Sequence, residues 1–342
     1  MNDLEIKKMI SKMVMIGFKG EHLPQWFVEQ INKYNPGGII LFGSNISSPL
    51  QLKELIRHLY SCCSDPVLIA IDQEGGRVSR LKPENGFSLL PSASWIGEMD
   101  DPDLAKEIYQ SVSKELFALG INCNLAPVVD LAINPENWII VKLGRSYGAS
   151  AEKVIKYARI FCDALHSKGI ISVLKHFPGH GSSLEDSHKG FVDISESWDP
   201  VELKPYEVLI REKRAKMIMT AHVFNRNLDP DYPATLSHDI INKLLRDKLG
   251  FRGVVISDDI QMKAIADHYS LSEAVRLAIN AGVNMLIFAN QMRTISLEDI
   301  VELVYNELKC ENISLEKIIE SNKLIQKLLE YALRRPDIPS SK

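Results

Sequence analysis

Eight short apolar runs, rich in β-branched residues, recur along the chain and alternate with longer stretches of helical period. They are Met13–Phe18, Gly38–Phe42, Val67–Asp72, Cys123–Val129, Ser172–His176, Met217–His222, Val254–Asp258 and Asn284–Ala289. Near-continuous apolar runs suit strands buried on both faces, which is what a parallel sheet demands. The stretches between them carry helix punctuation. Ser48-Pro49 opens one, with Leu52, Leu55, Ile56 and Leu59 as its apolar stripe. Asp101-Pro102 opens another, with Leu104, Ile108, Val112, Leu116 and Leu119 inside and Gly120 at its end. A third spans Ala151–Ser167, with Val154, Ala158, Phe161 and Leu165 on one side. Ser and Asp cap orphan N–H groups, Pro suits the first helical position, and Gly accepts the left-handed stop.

Eight strands with helices between them predict a single, closed (β/α)8 barrel of the TIM type, a fold that needs roughly 250 residues. An open doubly wound sheet is the runner-up, but no Gly-rich dinucleotide fingerprint follows the first strand. Two further helical patterns, near Ser296–Leu308 and Ser314–Leu333, predict extra C-terminal helices. No linker rich in Gly, Ser or Pro interrupts the chain. One catalytic domain over residues 1–335 is therefore expected, followed by a flexible tail at 336–342. About fifty residues after the eighth strand are too few for a second domain of ordinary size.

The net charge of -4, with no run of Lys or Arg, argues against nucleic acid as a partner. No apolar run approaches the ~20 residues of a membrane span, and Met1–Glu5 lacks the pattern of a signal peptide. The cysteines, Cys62, Cys63, Cys123, Cys162 and Cys310, are odd in number and show no CxxC spacing. Reduced thiols and a cytoplasmic location are expected.

In such barrels the active site lies at the C-terminal ends of the strands. Here the runs end in polar residues: Asp72, Lys175-His176, His222, Asp258-Asp259 and Asn290. Any one of these could be merely the chain leaving the core; five facing one mouth favour a site. The densest segment runs from Lys175 to His188 and holds His176, His180, His188, Glu185 and Asp186. His176 and His180 have the spacing of a helical zinc pair, but Pro178-Gly179 between them breaks a helix, so no metal site is expected. His180 reads as a loop-shaping residue. Asp186 and His188, two apart, can pair as a carboxylate orienting an imidazole, able to donate and accept a proton near neutral pH. Asp258, at a strand end, suits a nucleophile or a metal ligand. Its neighbour Asp259 is the competitor: adjacent residues point in different directions, so at most one of the two is expected to face the reacting carbon, the other bonding within the loop.

These segments resemble glycoside hydrolase family 3, in its β-N-acetylhexosaminidase branch. The resemblance rests on Ile71-Asp72-Gln73-Glu74-Gly75-Gly76-Arg77-Val78, on Ala126-Pro127-Val128-Val129-Asp130, on Lys175–Gly181 followed by Asp186-Ser187-His188, and on Ser257–Met262. It covers most of the barrel, from about Met13 to Ala289. It implies a retaining double displacement in which Asp258 attacks the anomeric carbon and forms a glycosyl-enzyme. His188, supported by Asp186, would protonate the leaving oxygen and then activate water, a departure from the usual pair of carboxylates. Asp72, Arg80, Arg145, Lys175 and His176 match positions that hold the sugar hydroxyls and acetamido group. The stretch Trp138–Gly144 before Arg145 departs from the family's shorter, Pro-containing connection.

The function implied is release of terminal β-linked N-acetylglucosamine, without a cofactor, from cell-wall peptidoglycan fragments, by a protein expected to be a monomer. Alternatives are a β-N-acetylglucosaminide phosphorylase of the same fold, a non-catalytic sugar-binding protein, and a metal-dependent barrel hydrolase.

Overall fold

The structure, a computed structural model, describes residues 1–184, 190 and 192–333. In chain order the strands are β1 (Val14–Gly17), β2 (Gly38–Leu41), β3 (Leu68–Ile71), β4 (Gln73–Gly75), β5 (Val78–Ser79), β6 (Cys123–Asn124), β7 (Ile171–Phe177), β8 (Met217–Thr220), β9 (Val254–Asp259) and β10 (Met285–Phe288). Eight of them close a parallel barrel in the order β1-β10-β9-β8-β7-β6-β3-β2. The remaining two, β4 and β5, make an antiparallel hairpin on the mouth. All eight anticipated runs are barrel strands, and helices surround them.

The register sets one rim. Leu41 pairs with Ile71, Ile71 with Asn124, Phe177 with Thr220, and Thr220 with Ser257. Residues just beyond these pairs, Asp72 and Asp258 among them, therefore emerge at the same end. The strands themselves are buried along their length, as two-sided burial requires.

The fourth run is less regular than expected. Only Cys123–Asn124 pairs as a strand, because Pro127 has no N–H for the ladder. The chain rejoins the barrel through a Val128–Lys175 bridge and a 2.8 Å bond from Val129 N to Lys175 O.

Helix ends follow the punctuation. Ser48 Oγ accepts from Gln51 N, and Asp101 Oδ1 accepts from Asp103 N and Leu104 N. Ser150 Oγ accepts from Lys153 N, and Ser296 Oγ from Asp299 N. Each such cap contributes about 1 kcal/mol relative to Ala. Gly120, at φ +91°, stops the helix Pro102–Leu119. That helix buries Val112, Leu116 and Leu119 as expected, and in its first turns Ala105 and Tyr109, with Leu104 and Ile108 half-buried beside them. The Tyr109 ring packs edge-on to Phe161, and its hydroxyl donates to Tyr147 Oη at 3.0 Å.

Helices Leu297–Lys309 and Leu315–Leu333 occupy the two C-terminal patterns. The second packs on an N-terminal helix, Asp3–Lys12, that sequence reading overlooked; Asn322 Nδ2 donates to Met9 O. Its signal was present as a capping box between Asn2 and Glu5. Among the described residues no helix is long and apolar enough to cross a membrane. The expected tail at 336–342 lies outside the described residues.

Candidate active site

The barrel mouth encloses a cavity of about 320 Å³, within the range of small-ligand sites. Asp72, Arg80, Arg145, Lys175, His176, Asp258 and Asp259 all line it, together with Glu74 and His180. Phe42, Ile139, Leu143, Met262 and Met292 supply apolar wall.

One side is an ion network on the ends of β3 and β7. Lys175 Nζ lies 2.9 Å from Asp72 Oδ1 and 2.6 Å from Glu74 Oε1. Arg80 Nη2 reaches Asp72 Oδ2 at 3.2 Å, and its guanidinium lies over the Phe42 ring at 5.7 Å. Arg145 grips Glu74 with two bonds, Nε to Oε2 at 2.7 Å and Nη2 to Oε1 at 2.8 Å. Burial alone would raise the carboxyl of Glu74, but the charges of Arg145 and Lys175 outweigh it and hold the group at about 2. Burial likewise opposes ionisation of Asp72, and Lys175 and Arg80 reverse it. Burial disfavours the Lys175 cation, and Asp72 and Glu74 more than restore it, so its pKa is raised. The wall is therefore fully charged at neutral pH and presents fixed donors and acceptors to a polyol. Charge-assisted bonds of this kind are the strong ones.

Glu74, within the Ile71–Val78 motif, has a place in the wall that its position in sequence does not announce. The hairpin carries it back: Gln73 Oε1 accepts from Arg80 N and Leu81 N, and Asn124 brackets Gln73 through both of its backbone groups. Gly75, at φ +109°, takes a backbone conformation that a side chain would strain, with Pro91 O against it.

Behind this wall sits Asp130, fully withdrawn from solvent. It accepts from His176 Nδ1 at 2.7 Å and from the backbone N of His176 and His180 at 3.1 and 2.9 Å. Its partners assign the His176 proton to Nδ1, leaving Nε2 to accept from Arg145 Nη2 at 3.3 Å. Burial would raise Asp130, and His176 lowers it below the ordinary carboxylate range. His180 is buried beside the cavity, with Nδ1 2.7 Å from Ser183 Oγ. Burial, then the neighbouring His176, pushes it down to about 4, so it is neutral at physiological pH. His176 belongs to β7 and His180 to the loop beyond it, so the two do not share a helix.

The opposite side is the end of β9. Asp258 Oδ1 accepts from Asp259 N at 2.8 Å. The Asp259 carboxylate turns into the loop, where Oδ1 accepts from Gln261 N and Ala289 N at 3.1 and 3.2 Å. His222 does not line the cavity. Its Nε2 donates to Asp259 O at 2.9 Å, and its Nδ1 meets Thr235 Oγ1 at 2.8 Å. Asn290 also leaves the cavity: its side chain donates to Gly17 O and Ile295 O and accepts from Ile295 N. Two of the five strand-end positions thus serve the loops.

The altered stretch before Arg145 is a compact turn. Asn137 Oδ1 accepts from Ile140 N, while its Nδ2 donates to His180 O at 2.7 Å. Ile139 and Ile140 pack on Val128 as a small satellite of the core. The Ile139 carbonyl then accepts from Arg145 Nη1. The turn therefore delivers Arg145 to Glu74 and links it to the histidine loop. Glu185, Asp186 and His188 lie outside the described residues.

The profile of the glycosyl hydrolase family 3 N terminal domain matches residues 4–328. A protein named beta-hexosaminidase from Haemophilus influenzae (strain ATCC 51907 / DSM 11121 / KW20 / Rd) is 32% identical, over 96% of this chain and 99% of that one. Another of that name, from Tolumonas auensis, is 38% identical over 74% of this chain and 75% of its own. Among solved structures, a glycoside hydrolase family 3 beta-N-acetylglucosaminidase from Paenibacillus sp. str. FPU-7 superposes with a TM-score of 0.88 at 33% identity. The match covers 95% of this chain and 62% of that longer one. A beta-N-acetylhexosaminidase from Beutenbergia cavernae DSM 12333 gives a TM-score of 0.88 at 28% identity, over 96% and 99% of the two chains.

Proposed function

The chain belongs to glycosyl hydrolase family 3, and from that premise we propose that it is a retaining β-N-acetylhexosaminidase, releasing terminal β-linked N-acetylglucosamine from cell-wall fragments. The observation that carries the reading is the placing of Asp258 in one cavity with the charged wall of Asp72, Lys175, Glu74 and Arg145. A wall with alternating fixed charges suits the hydroxyl and acetamido groups of a sugar ring. A carboxylate in the same cavity suits attack on the anomeric carbon.

In this mechanism Asp258 forms the glycosyl-enzyme, held in orientation by the Asp259 N–H. Asp259, engaged by two loop amides, takes no part in the chemistry. Lys175 and Arg80 fix Asp72 so that it can accept from sugar hydroxyls, while Arg145 and His176 offer polar contacts deeper in the cavity. The sequence Asp186-Ser187-His188 supplies the acid/base pair: His188 protonates the leaving oxygen and then takes a proton from water, and Asp186 orients it.

Phosphate as the acceptor in place of water is disfavoured by the charge pairing. Each of the three described cations lining the cavity, Arg80, Arg145 and Lys175, already has a carboxylate partner. An incoming dianion would face Asp72, Glu74 and Asp258 without a free described cation. A chromogenic N-acetylglucosaminide, assayed in phosphate and in a non-nucleophilic buffer, tests both points. Equal release of free N-acetylglucosamine in the two buffers is expected. A sugar 1-phosphate as the product in phosphate buffer would overturn hydrolysis.

A further inference from the structure

Between β7 and β8, one buried carboxyl belongs to none of the interactions described so far. Glu202 lies in the short helical turn Pro200–Leu203, ahead of the helix Lys204–Arg211, and is 1% exposed. It does not line the cavity. Its Oε2 accepts from Gly181 N at 2.8 Å. Gly179, at φ +124°, lies so close that a Cβ there would fall 2.6 Å from the Glu202 Cβ. On its other side the same loop presses on backbone: a Cβ at Gly181 would fall 1.8 Å from Leu131 O.

Two buried carboxylates thus hold consecutive amides. Asp130 accepts the N–H of His180, and Glu202 accepts the N–H of Gly181. Asp130 has the His176 imidazole as a donor as well as its amides, whereas no cation or imidazole appears among the described hydrogen-bond partners of Glu202. Among the described residues its Oε1, also buried, has no partner within hydrogen-bond geometry. The groups around it are the Ser182 hydroxyl, the Asp130 carboxylate and the Tyr206 phenol. Burial, with Asp130 adding to it, outweighs the Ser182 hydroxyl and the Gly181 and Ser182 amides, which favour the ionised form, and pushes Glu202 up to about 7. Burial also holds Tyr206 well above its ordinary range and keeps His180 neutral, so neither supplies a countercharge.

We propose that Glu202 is a positioning residue for the glycosidase reaction, holding the loop Gly179–Ser183 against the cavity through the Gly181 amide. The proposal rests on the hydrolase reading above. That loop carries His180 into the cavity wall, and the chain continues from it to Asp186 and His188. A neutral carboxyl accepts the amide at little cost. An ionised one is an unpaired buried charge next to Asp130, and the loop must give to admit water.

The sign is that of a raised acid. The folded state favours the neutral form, so the stability Glu202 confers is present below its unfolded pKa and is lost as pH rises through about 7. Glu202→Gln keeps the amide acceptor and cannot ionise; Glu202→Ala removes the acceptor at every pH.

The test measures kcat/KM on a nitrophenyl N-acetylglucosaminide from pH 5 to 8.5, alongside thermal melting of the same proteins. A nitrophenolate needs little help from a general acid, so titration of His188 has little effect on this rate. Glu202→Gln is expected to stay within about twofold of wild type at pH 5.5 and to exceed it roughly tenfold at pH 8.5. It should also melt higher than wild type at pH 8.5 and not at pH 5. Glu202→Ala should be impaired at both ends of the range. Superimposable pH profiles of Glu202→Gln and wild type, in rate and in melting, would overturn the proposal. A wild type inactive on glycosides that still shows the melting difference would overturn the hydrolase reading and leave the loop clamp standing.

Discussion

Arg145 and Glu74 meet through two parallel hydrogen bonds of 2.7 and 2.8 Å at the barrel mouth, with side chains only 9% and 4% exposed. Lys175 shares the same carboxylate at 2.6 Å. Removing one partner of a buried ion pair typically costs about 3–5 kcal/mol, because the other charge is left buried alone. Glu74→Gln would leave both cations undercompensated and is expected to lose about 3 kcal/mol at pH 7.

The loss should depend on pH with a defined sign. Glu74 is held at about 2 in the folded protein, below its ordinary value of 4.5. Its contribution is therefore present above the unfolded pKa and is lost as pH falls through the folded one. Urea unfolding midpoints of Glu74→Gln and wild type should converge between pH 5 and pH 2.5. A gap of constant size across that range would refute the ionic account.

His222 acts on the Asp259 carbonyl rather than on substrate. His222→Phe keeps a planar ring and removes the donor, leaving that carbonyl with Met262 N as its described donor. A lost bond of this kind costs roughly 0.5–1.5 kcal/mol. Since the adjoining Asp259 amide donates to Asp258, kcat should fall by roughly tenfold for each 1.4 kcal/mol that reaches the reacting geometry, with KM little changed. A rise in KM alone would instead place His222 in substrate binding.

For Asp186 and His188 the prediction concerns leaving groups. A basic oxygen cannot depart as a free anion, whereas nitrophenolate can. General acid catalysis is typically worth ~10²–10⁴-fold. His188→Ala should thus lose far more kcat/KM on a natural disaccharide than on a nitrophenyl glycoside, and should accumulate glycosyl-enzyme with the latter. Asp186→Asn should show the same pattern more mildly. If Glu185→Gln shows this signature and His188→Ala does not, the donor has been misassigned.

How far the sequence foretold the structure can be judged from particular residues. The barrel was legible because the barrel strands are buried on two faces and so read as near-continuous apolar runs, while Ser48, Asp101 and Ser296 marked helix starts. Asp72, Lys175, His176 and Asp258 were legible because each ends such a run. Glu74 and Asp130 were not given roles, since what makes them matter is a partner more than forty positions away in sequence: Arg145 and His176. His222 and Asn290 show the converse. Each ends an apolar run as Asp72 does, yet tertiary contacts turn them toward backbone carbonyls at the ends of neighbouring strands. Glu202 gave no signal at all, because its neighbourhood is assembled from three separate segments.

The central claim is that Asp258 becomes covalently attached to the sugar while Asp259 stays within the loop. Peptide mass mapping after incubation with a fluorinated N-acetylglucosaminyl fluoride tests it most directly. The account predicts one glycosyl adduct, on Asp258, formed also by Asp259→Asn, in which the amide oxygen can still accept from Gln261 and Ala289. Asp258→Asn should form no adduct and lose turnover by ~10⁴-fold or more. An adduct on Asp259, or on any other residue, would contradict the assignment.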